Sequence, residues 1–449
     1  MNSSRREFIR RVTFSLSSLA AAGNFARFGM LNAAATQSGS YRALVCVFLY
    51  GGNDSNNLIV PMDSASYNAY SGIRKNLALA QSALLPVATK SNAPYGFHAL
   101  LPEVQTLFGN KQLAVVANVG SLVAPITRAQ YVANQGMIPQ NLFSHLDQQT
   151  QWQTSVANQM STTGWGGRVA DQVAHLNGST TFPTLVYVTG NSIFGSGAQT
   201  RAGAVTPGAA LGLTGYGTDA ASVARSNALQ QLLTLDNGVT LIQQASSFMT
   251  DGLRDSATLN KALSGAAALK TVFPSTSLGG QLQEVAKLIQ VRQALGMNRQ
   301  IFFCSLGSFD THTNQLNDQG TLFSQLSPAL AAFLAATQEL GVDQQVTTFT
   351  ESDFSRTTMP NSTGGTDHAW GSHQLVMGGA VQGGDLYGKF PSMVLGSGDD
   401  AGEGRWIPTT SVDQYGATLA QWFGVSASQL SNVFPNIGNF PSNNLGFLG

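Results

Sequence analysis

The stretch that decides the fold is residues 43–54, with the sequence ALVCVFLYGGND. The apolar run from Ala43 to Tyr50 has the length and composition of a buried strand. Two glycines then allow a sharp turn that delivers Asn53 and Asp54 to the end of that strand. Further apolar runs alternate with segments of helical spacing, which predicts an α/β fold with a mainly parallel sheet.

The predicted elements continue this alternation. The strands are predicted at 43–50, 113–118, 184–188, 300–306, 346–350 and 393–396. The helices are predicted at 220–235, 239–269, 278–295, 322–340 and 412–423. No clean linker divides the chain, so we expect one elaborated α/β domain over residues 36–449, with a helical insertion around 219–296.

Composition excludes some partners. The 449 residues carry 23 Lys and Arg against 23 Asp and Glu, and only 10% of them are charged. A neutral chain of this kind lacks the electrostatic footprint that nucleic-acid binding requires, so no nucleic-acid partner is expected. No apolar run reaches the roughly 20 residues that span a bilayer, so we expect no stable membrane insertion.

The N-terminus predicts export. Arg5 and Arg6 precede a weakly apolar stretch, and Ala33–Ala35 offers a small-residue cleavage site. This is the layout of a twin-arginine signal peptide over residues 1–35, and it implies the twin-arginine export machinery as a partner and a periplasmic or secreted location. The alternative is an amphipathic N-terminal helix of the mature fold.

The cysteines are too few for a thiolate zinc site. Cys46 and Cys304 each lie in an apolar run that is typical of a core strand. An exported protein can form one disulfide, but two buried free thiols are the favoured interpretation, because core strands rarely bring cysteines to bridging geometry.

Aspartate and histidine are concentrated in loops that follow predicted strands. Asp310 and His312 follow one strand, and their spacing in an extended segment lets both face one cation. Asp367 and His368 are adjacent between glycines, and His373 comes five positions later. This set without cysteine suits a divalent ion such as Zn²⁺ or Mn²⁺.

Other polar residues have two readings each. Ser144 is either the N-cap of a helix or a hydroxyl nucleophile at a helix N-terminus. Arg356 can bind a phosphate or sulfate group, while Asp353 can ligate a metal or pair with Arg356. His98 and His175 are interpreted as structural histidines.

A set of short motifs, in order, resembles a known family. They are the twin-arginine leader, 51–54 (GGND), 144–145 (SH), 164–168 (GWGGR), 309–312 (FDTH), 352–357 (SDFSRT), 365–368 (GTDH), 378–384 (GGAVQGG) and 412–415 (VDQY). The chain resembles the bacterial exported family named domain of unknown function 1501, which is placed in the alkaline-phosphatase-like superfamily. The resemblance covers nearly the whole mature chain.

The resemblance implies a three-layer α/β/α fold and a two-metal site at the carboxyl edge of the sheet. The positions that match the first ion's ligands are Asp54, Asp367 and His368. The candidates for the second ion are Asp310, His312 and His373. Ser144 is the preferred nucleophile and Ser55 the second choice, with Arg356 neutralising the transferred group.

The function implied is hydrolysis of phosphate or sulfate esters, small or polymeric, by two divalent ions. The alternative is a non-catalytic exported binding or assembly protein on a degenerate phosphatase-like scaffold.

Overall fold

The computed structural model of the protein describes residues 41–209, 212, 216–235 and 238–449. The predicted signal peptide, residues 1–35, lies outside these described residues. Residues 42–449 group into one compact unit.

Strands and helices alternate along the described part of the chain. The strands are β1 (Arg42–Leu49), β2 (Ile59–Pro61), β3 (Leu85–Ala88), β4 (Pro94–Phe97), β5 (Leu113–Gly120), β6 (Leu185–Tyr187), β7 (Ala202–Ala204), β8 (Arg299–Leu306), β9 (Val346–Ser352), β10 (Ser372–Met377), β11 (Leu386–Tyr387) and β12 (Thr410–Ser411). The α-helices are α1 (Ser64–Arg74), α2 (Pro102–Gly109), α3 (Arg128–Val132), α4 (His145–Thr154), α5 (Trp165–Val173), α6 (Ala220–Leu233), α7 (Thr240–Ser264), α8 (Ser277–Gln290), α9 (Gln315–Glu339), α10 (Val412–Phe423) and α11 (Leu430–Val433).

The central sheet has the order β11-β5-β10-β9-β1-β8-β6-β7, and β12 pairs with β5. Only β10 among these described strands runs antiparallel to its neighbours, β5 and β9. The predicted α/β fold with a mainly parallel sheet is therefore confirmed. The strands β2, β4 and β3 form a small antiparallel sheet beside it.

Helices pack on both faces of β1 and its neighbours, which gives three layers. Leu44, Cys46 and Phe48 of β1 share a buried cluster with Trp165 of α5 and Tyr415 of α10. The alternate residues of a strand point to the opposite face. There α8 packs against β8 and α9, and α9 packs against α2.

The two cysteines are free and buried, as expected. The register explains this: Cys46 lies opposite Phe303, and Cys304 lies opposite Val47. Because the two cysteines are one residue out of register, they point to opposite faces of the sheet.

Near the C-terminal part, one predicted strand is wrong and one observed strand was not predicted. Residues 393–396 are not a strand, since Met393 and Gly396 both have positive φ and bend the chain. A strand that the sequence did not predict, β10, replaces it in the sheet. Its first three residues are polar yet buried, and Gln374 accepts a hydrogen bond from Thr350 on the neighbouring strand at 2.8 Å.

The helical block at 219–296 has two different environments. Helix α8 is amphipathic and buries residues such as Leu282 and Ile289 against the sheet layer. By contrast, α6 and α7 each bury a single residue, Ser222 and Leu259. None of the helices among the described residues is both long enough and apolar enough to cross a lipid bilayer.

Candidate metal centre

The candidate site lies where the loops after β1, β8 and β9 meet the first residue of α4. Gly51 allows the loop after β1 to approach the loop after β8. Its φ is 109°, and a Cβ there would lie 2.5 Å from the backbone nitrogen of Asp310. Gly365 is packed similarly, with a Cβ position 2.2 Å from the carbonyl carbon of His312. Residues with side chains would hold these loops apart.

Three histidines converge on one carboxylate oxygen, Oδ1 of Asp310. The Nε2 atoms of His145, His312 and His368 lie 3.2, 3.0 and 3.5 Å from it. The His312 and His368 Nε2 atoms are themselves 2.9 Å apart. Ligand atoms of His145, Asp310 and His368 all lie within 4.8 Å of one another.

Each of these histidines is held from behind through Nδ1. The Nδ1 of His145 lies 2.6 Å from Oδ2 of the buried Asp353, and that of His312 lies 3.1 Å from Oδ1 of Asp367. The Nδ1 of His368 donates to the carbonyl of Phe143, 2.7 Å away. A carboxylate or carbonyl at Nδ1 favours the tautomer in which Nε2 carries a free lone pair.

The hydrogen bond between His368 and the Phe143 carbonyl depends on an unusual backbone conformation of Phe143. Phe143 has a φ of 71°, which is rare for a bulky residue. The His368 ring also stacks on Phe354, with ring centroids 4.9 Å apart. Two independent contacts therefore fix the direction of its Nε2 atom.

The arrangement fits a divalent cation. The Nε2 of His145 is buried and makes no hydrogen bond. Lone pairs directed at a shared point are unfavourable without a proton or a cation between them. Three imidazoles and a carboxylate, each with a second partner behind it, form the ligand pattern of a zinc-type site.

Arg356 holds Asp310 in this position. Its buried guanidinium donates through Nη1 to Asp310 at 2.8 Å and to the Gly51 carbonyl at 3.1 Å, and through Nη2 to the Thr366 carbonyl at 2.7 Å. Of the two alternatives for Asp353, the one that paired it with Arg356 does not match the structure, in which Arg356 pairs with Asp310.

Burial, hydrogen bonds and neighbouring charges shift the pKa values of the cluster. The hydrogen bond from His145 to Asp353 raises the pKa of His145. Burial lowers the pKa of His368. At Asp310, burial acts to raise the pKa, but the hydrogen bond and the charge of Arg356, with His145 and His312, bring it below its usual value.

The structure does not bring Asp54 or His373 into the cluster, although both were predicted ligands. The buried Asp54 carboxylate forms an ion pair with Arg74, and its other oxygen accepts from Asn56 at 3.1 Å. His373 is buried beside Phe390, and burial lowers its pKa to about 3. From the predicted set, the structure brings Asp310, His312 and His368 together, while Asp367 lies behind His312, at its Nδ1.

The two serines considered as nucleophiles are engaged elsewhere. Ser144 is the N-cap of α4: its Oγ donates to Asp147 at 2.6 Å and lies 3.4 Å from the Asp147 amide. Ser55 is buried, with its Oγ 2.9 Å from the Oγ of Ser355. The N-cap reading of Ser144 agrees with these contacts.

Sequence reasoning missed His145 as a member of the site. The signal was present, since His145 belongs to the same Ser-His motif as Ser144, but that motif was interpreted through the Ser144 hydroxyl alone. Asp353, for which the alternatives were metal ligation and an ion pair with Arg356, instead lies behind His145. His98 is buried, accepts from the Leu100 amide and has its pKa lowered to about 4 by burial, as expected of a structural histidine.

An α/β protein with a histidine–aspartate cluster at the carboxyl edge of its sheet is the class that this geometry defines. The chain belongs to the family described as protein of unknown function (DUF1501), whose model matches residues 41–413. No curated protein matches the chain.

Solved structures resemble the chain only distantly. The lipoteichoic acid synthase LtaP from Listeria monocytogenes is 7% identical, with 87% of this chain and 74% of that one covered and a TM-score of 0.34. The PsFucS1 sulfatase from Pseudoalteromonas sp. is 9% identical, with 94% and 73% covered and a TM-score of 0.35. The soluble domain of lipooligosaccharide phosphoethanolamine transferase A from Neisseria meningitidis is 9% identical, with 87% and 90% covered and a TM-score of 0.33. At these scores the likeness carries no argument about activity.

Proposed function

We propose that this protein is an exported metal-dependent hydrolase of phosphate or sulfate esters, working with one divalent cation. The observation that carries the proposal is the convergence of three imidazole Nε2 atoms on Asp310, each fixed by a partner at Nδ1. Such a set, in which each ligand has a second partner behind it, has the composition of a zinc site rather than of a surface ion pair.

The ligands in this proposal are His145, Asp310, His312 and His368. Imidazole nitrogens outnumber carboxylate oxygens, which favours zinc over manganese. When bound, the cation supplies Lewis-acid polarisation of the ester and a lower pKa for water. Asp353 and the other Nδ1 partners keep the Nε2 atom of each ring directed at the ion.

The proposal reduces the expected two ions to one. Arg74 lies against Asp54, which was the expected ligand of a further ion, and both side chains are fully buried. A guanidinium at that carboxylate supplies the positive charge that a second cation would bring. The substrate can still reach the remaining site, because the side chains of Asp310 and Asp367 are 48% and 47% exposed.

The test combines metal content with hydrolysis. Purified protein should contain one zinc equivalent by mass spectrometry and should hydrolyse at least one of p-nitrophenyl phosphate, bis(p-nitrophenyl) phosphate and p-nitrophenyl sulfate, and chelation should abolish that hydrolysis. His145→Ala should lose the metal, while His175→Ala, at an exposed histidine outside the cluster, should keep it. Folded protein without metal after zinc reconstitution would rule out the proposal.

The rival function is a non-catalytic exported binding or assembly protein. The observation that favours it is that the Oγ atoms of Ser144 and Ser55 are both engaged. In that case zinc would bind, no ester would be turned over, and removing zinc would lower only the melting temperature.

Export is proposed from the Arg5-Arg6 motif alone. Replacing both arginines by lysine in the full chain should retain the protein in the cytoplasm of a bacterium that exports the unmodified chain. Equal fractionation of the two forms would contradict twin-arginine export.

A further inference from the structure

We infer that the site selects esters with a single negative charge over dianionic phosphate monoesters, and that Asp367 is the residue that sets this preference. The inference rests on the proposed function and narrows its substrate class. The proposed substrate is a tetrahedral ester with one negative charge. Both sulfate monoesters and phosphate diesters meet this description.

The charges in contact with the cluster are unbalanced toward the negative. Three carboxylates, Asp310, Asp353 and Asp367, touch the three histidines, and one cationic side chain, Arg356, touches Asp310. Three negative charges and one positive charge leave a net charge of −2, which a single divalent cation brings to zero. Two nearby ion pairs contribute no net charge: Asp54 with Arg74, and Glu403 with Arg405, whose Nε donates to the His368 carbonyl at 2.9 Å.

The one cation of this set is poorly placed to receive a substrate. The Arg356 side chain is fully buried, and its donors contact Asp310 and the carbonyls of Gly51 and Thr366. A dianionic group normally requires several free cationic donors around it, because each extra negative charge must be matched. Arg405 is partly exposed beside His368 but is paired with Glu403, so the bound cation would be the main uncompensated positive charge exposed to an ester.

Asp367 is the negative charge that a substrate would meet. Its Oδ1 contacts Nδ1 of His312, and 47% of its side chain remains open to solvent. Asp353, in contrast, is fully buried behind His145. Repulsion from a half-exposed carboxylate acts on each charge of the substrate, so a dianion is penalised about twice as much as a monoanion.

The first experiment compares turnover of three probes at pH 8, where p-nitrophenyl phosphate is a dianion. The kcat/KM for bis(p-nitrophenyl) phosphate or for p-nitrophenyl sulfate should exceed that for p-nitrophenyl phosphate by at least tenfold, and the larger of the two distinguishes a phosphodiester from a sulfate-ester substrate. A preference for p-nitrophenyl phosphate would overturn the inference while leaving the proposed function intact. No turnover of any probe would instead count against the proposed function.

The second experiment measures binding without turnover. Isothermal titration calorimetry of the zinc-loaded protein should show tighter binding of methyl sulfate or dimethyl phosphate than of methyl phosphate at pH 8. Equal or tighter binding of the dianion would contradict the inference.

The variant Asp367→Asn tests the assigned residue. It keeps an oxygen for His312 and removes the charge, so the discrimination between monoanion and dianion should fall about three- to tenfold in both experiments. Metal content of the variant is measured alongside, so that loss of zinc is not mistaken for a change of preference. The matched control is Asp343→Asn, at the opposite edge of the sheet just before β9. An unchanged ratio in Asp367→Asn with zinc retained would remove Asp367 from the proposal.

Discussion

His145 depends on one buried neighbour for its direction. Asp353 accepts from Nδ1 of His145 and from Nε2 of Gln149 at 2.7 Å, so it fixes the ring on one side while the Nε2 atom faces Asp310. Outer partners of this kind tune metal affinity although they never touch the ion.

The variant Asp353→Asn should therefore weaken zinc binding about 10–100-fold. The amide preserves the shape of the side chain, but it no longer carries the charge that favours the required tautomer. A competition titration against a zinc chelator measures the change. Asp343→Asn serves again as the control, and unaltered affinity in Asp353→Asn would mean that His145 is oriented by packing alone.

A second prediction concerns the buried Asp54–Arg74 pair. Replacing Asp54 by Asn leaves the guanidinium buried with no opposite charge, which typically costs about 3–5 kcal/mol. Chemical denaturation should show this loss, while the zinc content stays at the level of the unmodified chain. Loss of zinc in Asp54→Asn would restore Asp54 as a ligand.

The double variant Asp54→Asn, Arg74→Met is the matched control for that measurement. Removing both charges is less costly than removing one, because no uncompensated ion remains. The double variant should thus be more stable than Asp54→Asn alone.

At the scale of elements, the site depends on where α4 begins. Ser144 has extended backbone angles and accepts a hydrogen bond from the Asp147 amide, so the first helical residue is His145. The start of the helix then sets the position of the His145 ring relative to the loops after β8 and β9.

Ser144→Ala should lower the free energy of unfolding by about 0.5–2 kcal/mol, the usual cost of losing an N-cap side chain. Turnover should fall less than tenfold, because the hydroxyl proton is already directed to Asp147. Thermal denaturation and steady-state kinetics on the same preparation distinguish Ser144 as an N-cap from Ser144 as a nucleophile. A loss of turnover of a thousandfold with stability unchanged would support Ser144 as the nucleophile.

For the molecule as a whole, the pH dependence of stability has an identifiable source. Asp413, in the first turn of α10, is buried and accepts from the Asn436 amide at 3.2 Å. Burial raises the pKa of Asp413 to about 7. The folded state consequently holds this proton more tightly than the unfolded chain, where an aspartate titrates near pH 4.

It follows that the protonated Asp413 adds its full contribution to the free energy of unfolding below about pH 4. This contribution is lost as the pH rises to about 7. Three pH units of differential binding correspond to about 4 kcal/mol. Urea titrations from pH 4.5 to 7.5 should show the unmodified chain losing stability relative to Asp413→Asn over this range. Parallel curves for the two proteins would assign the pH dependence to other groups.

How much of the architecture could be predicted differs between strands. Apolar runs such as 43–50 and 300–306 were identified, because a parallel strand buried on both faces must be apolar along its whole length. β10 was not predicted, because its first three residues, Ser372, His373 and Gln374, are polar although they are buried. Their burial depends on hydrogen bonds to neighbouring strands, which local sequence does not reveal.

The sequence by itself determined the α/β alternation and the loops in which the aspartates and histidines of the site lie. Strand hydrophobicity and residue spacing are local properties, so they can be inferred from the amino-acid sequence alone. Only the tertiary structure decided which groups meet: it placed His145 with Asp310 and His368, and it paired Asp54 with Arg74. Such choices depend on how loops distant in sequence pack at one edge of the sheet, where a residue's partner, and not its type, decides whether it binds an ion or neutralises a charge.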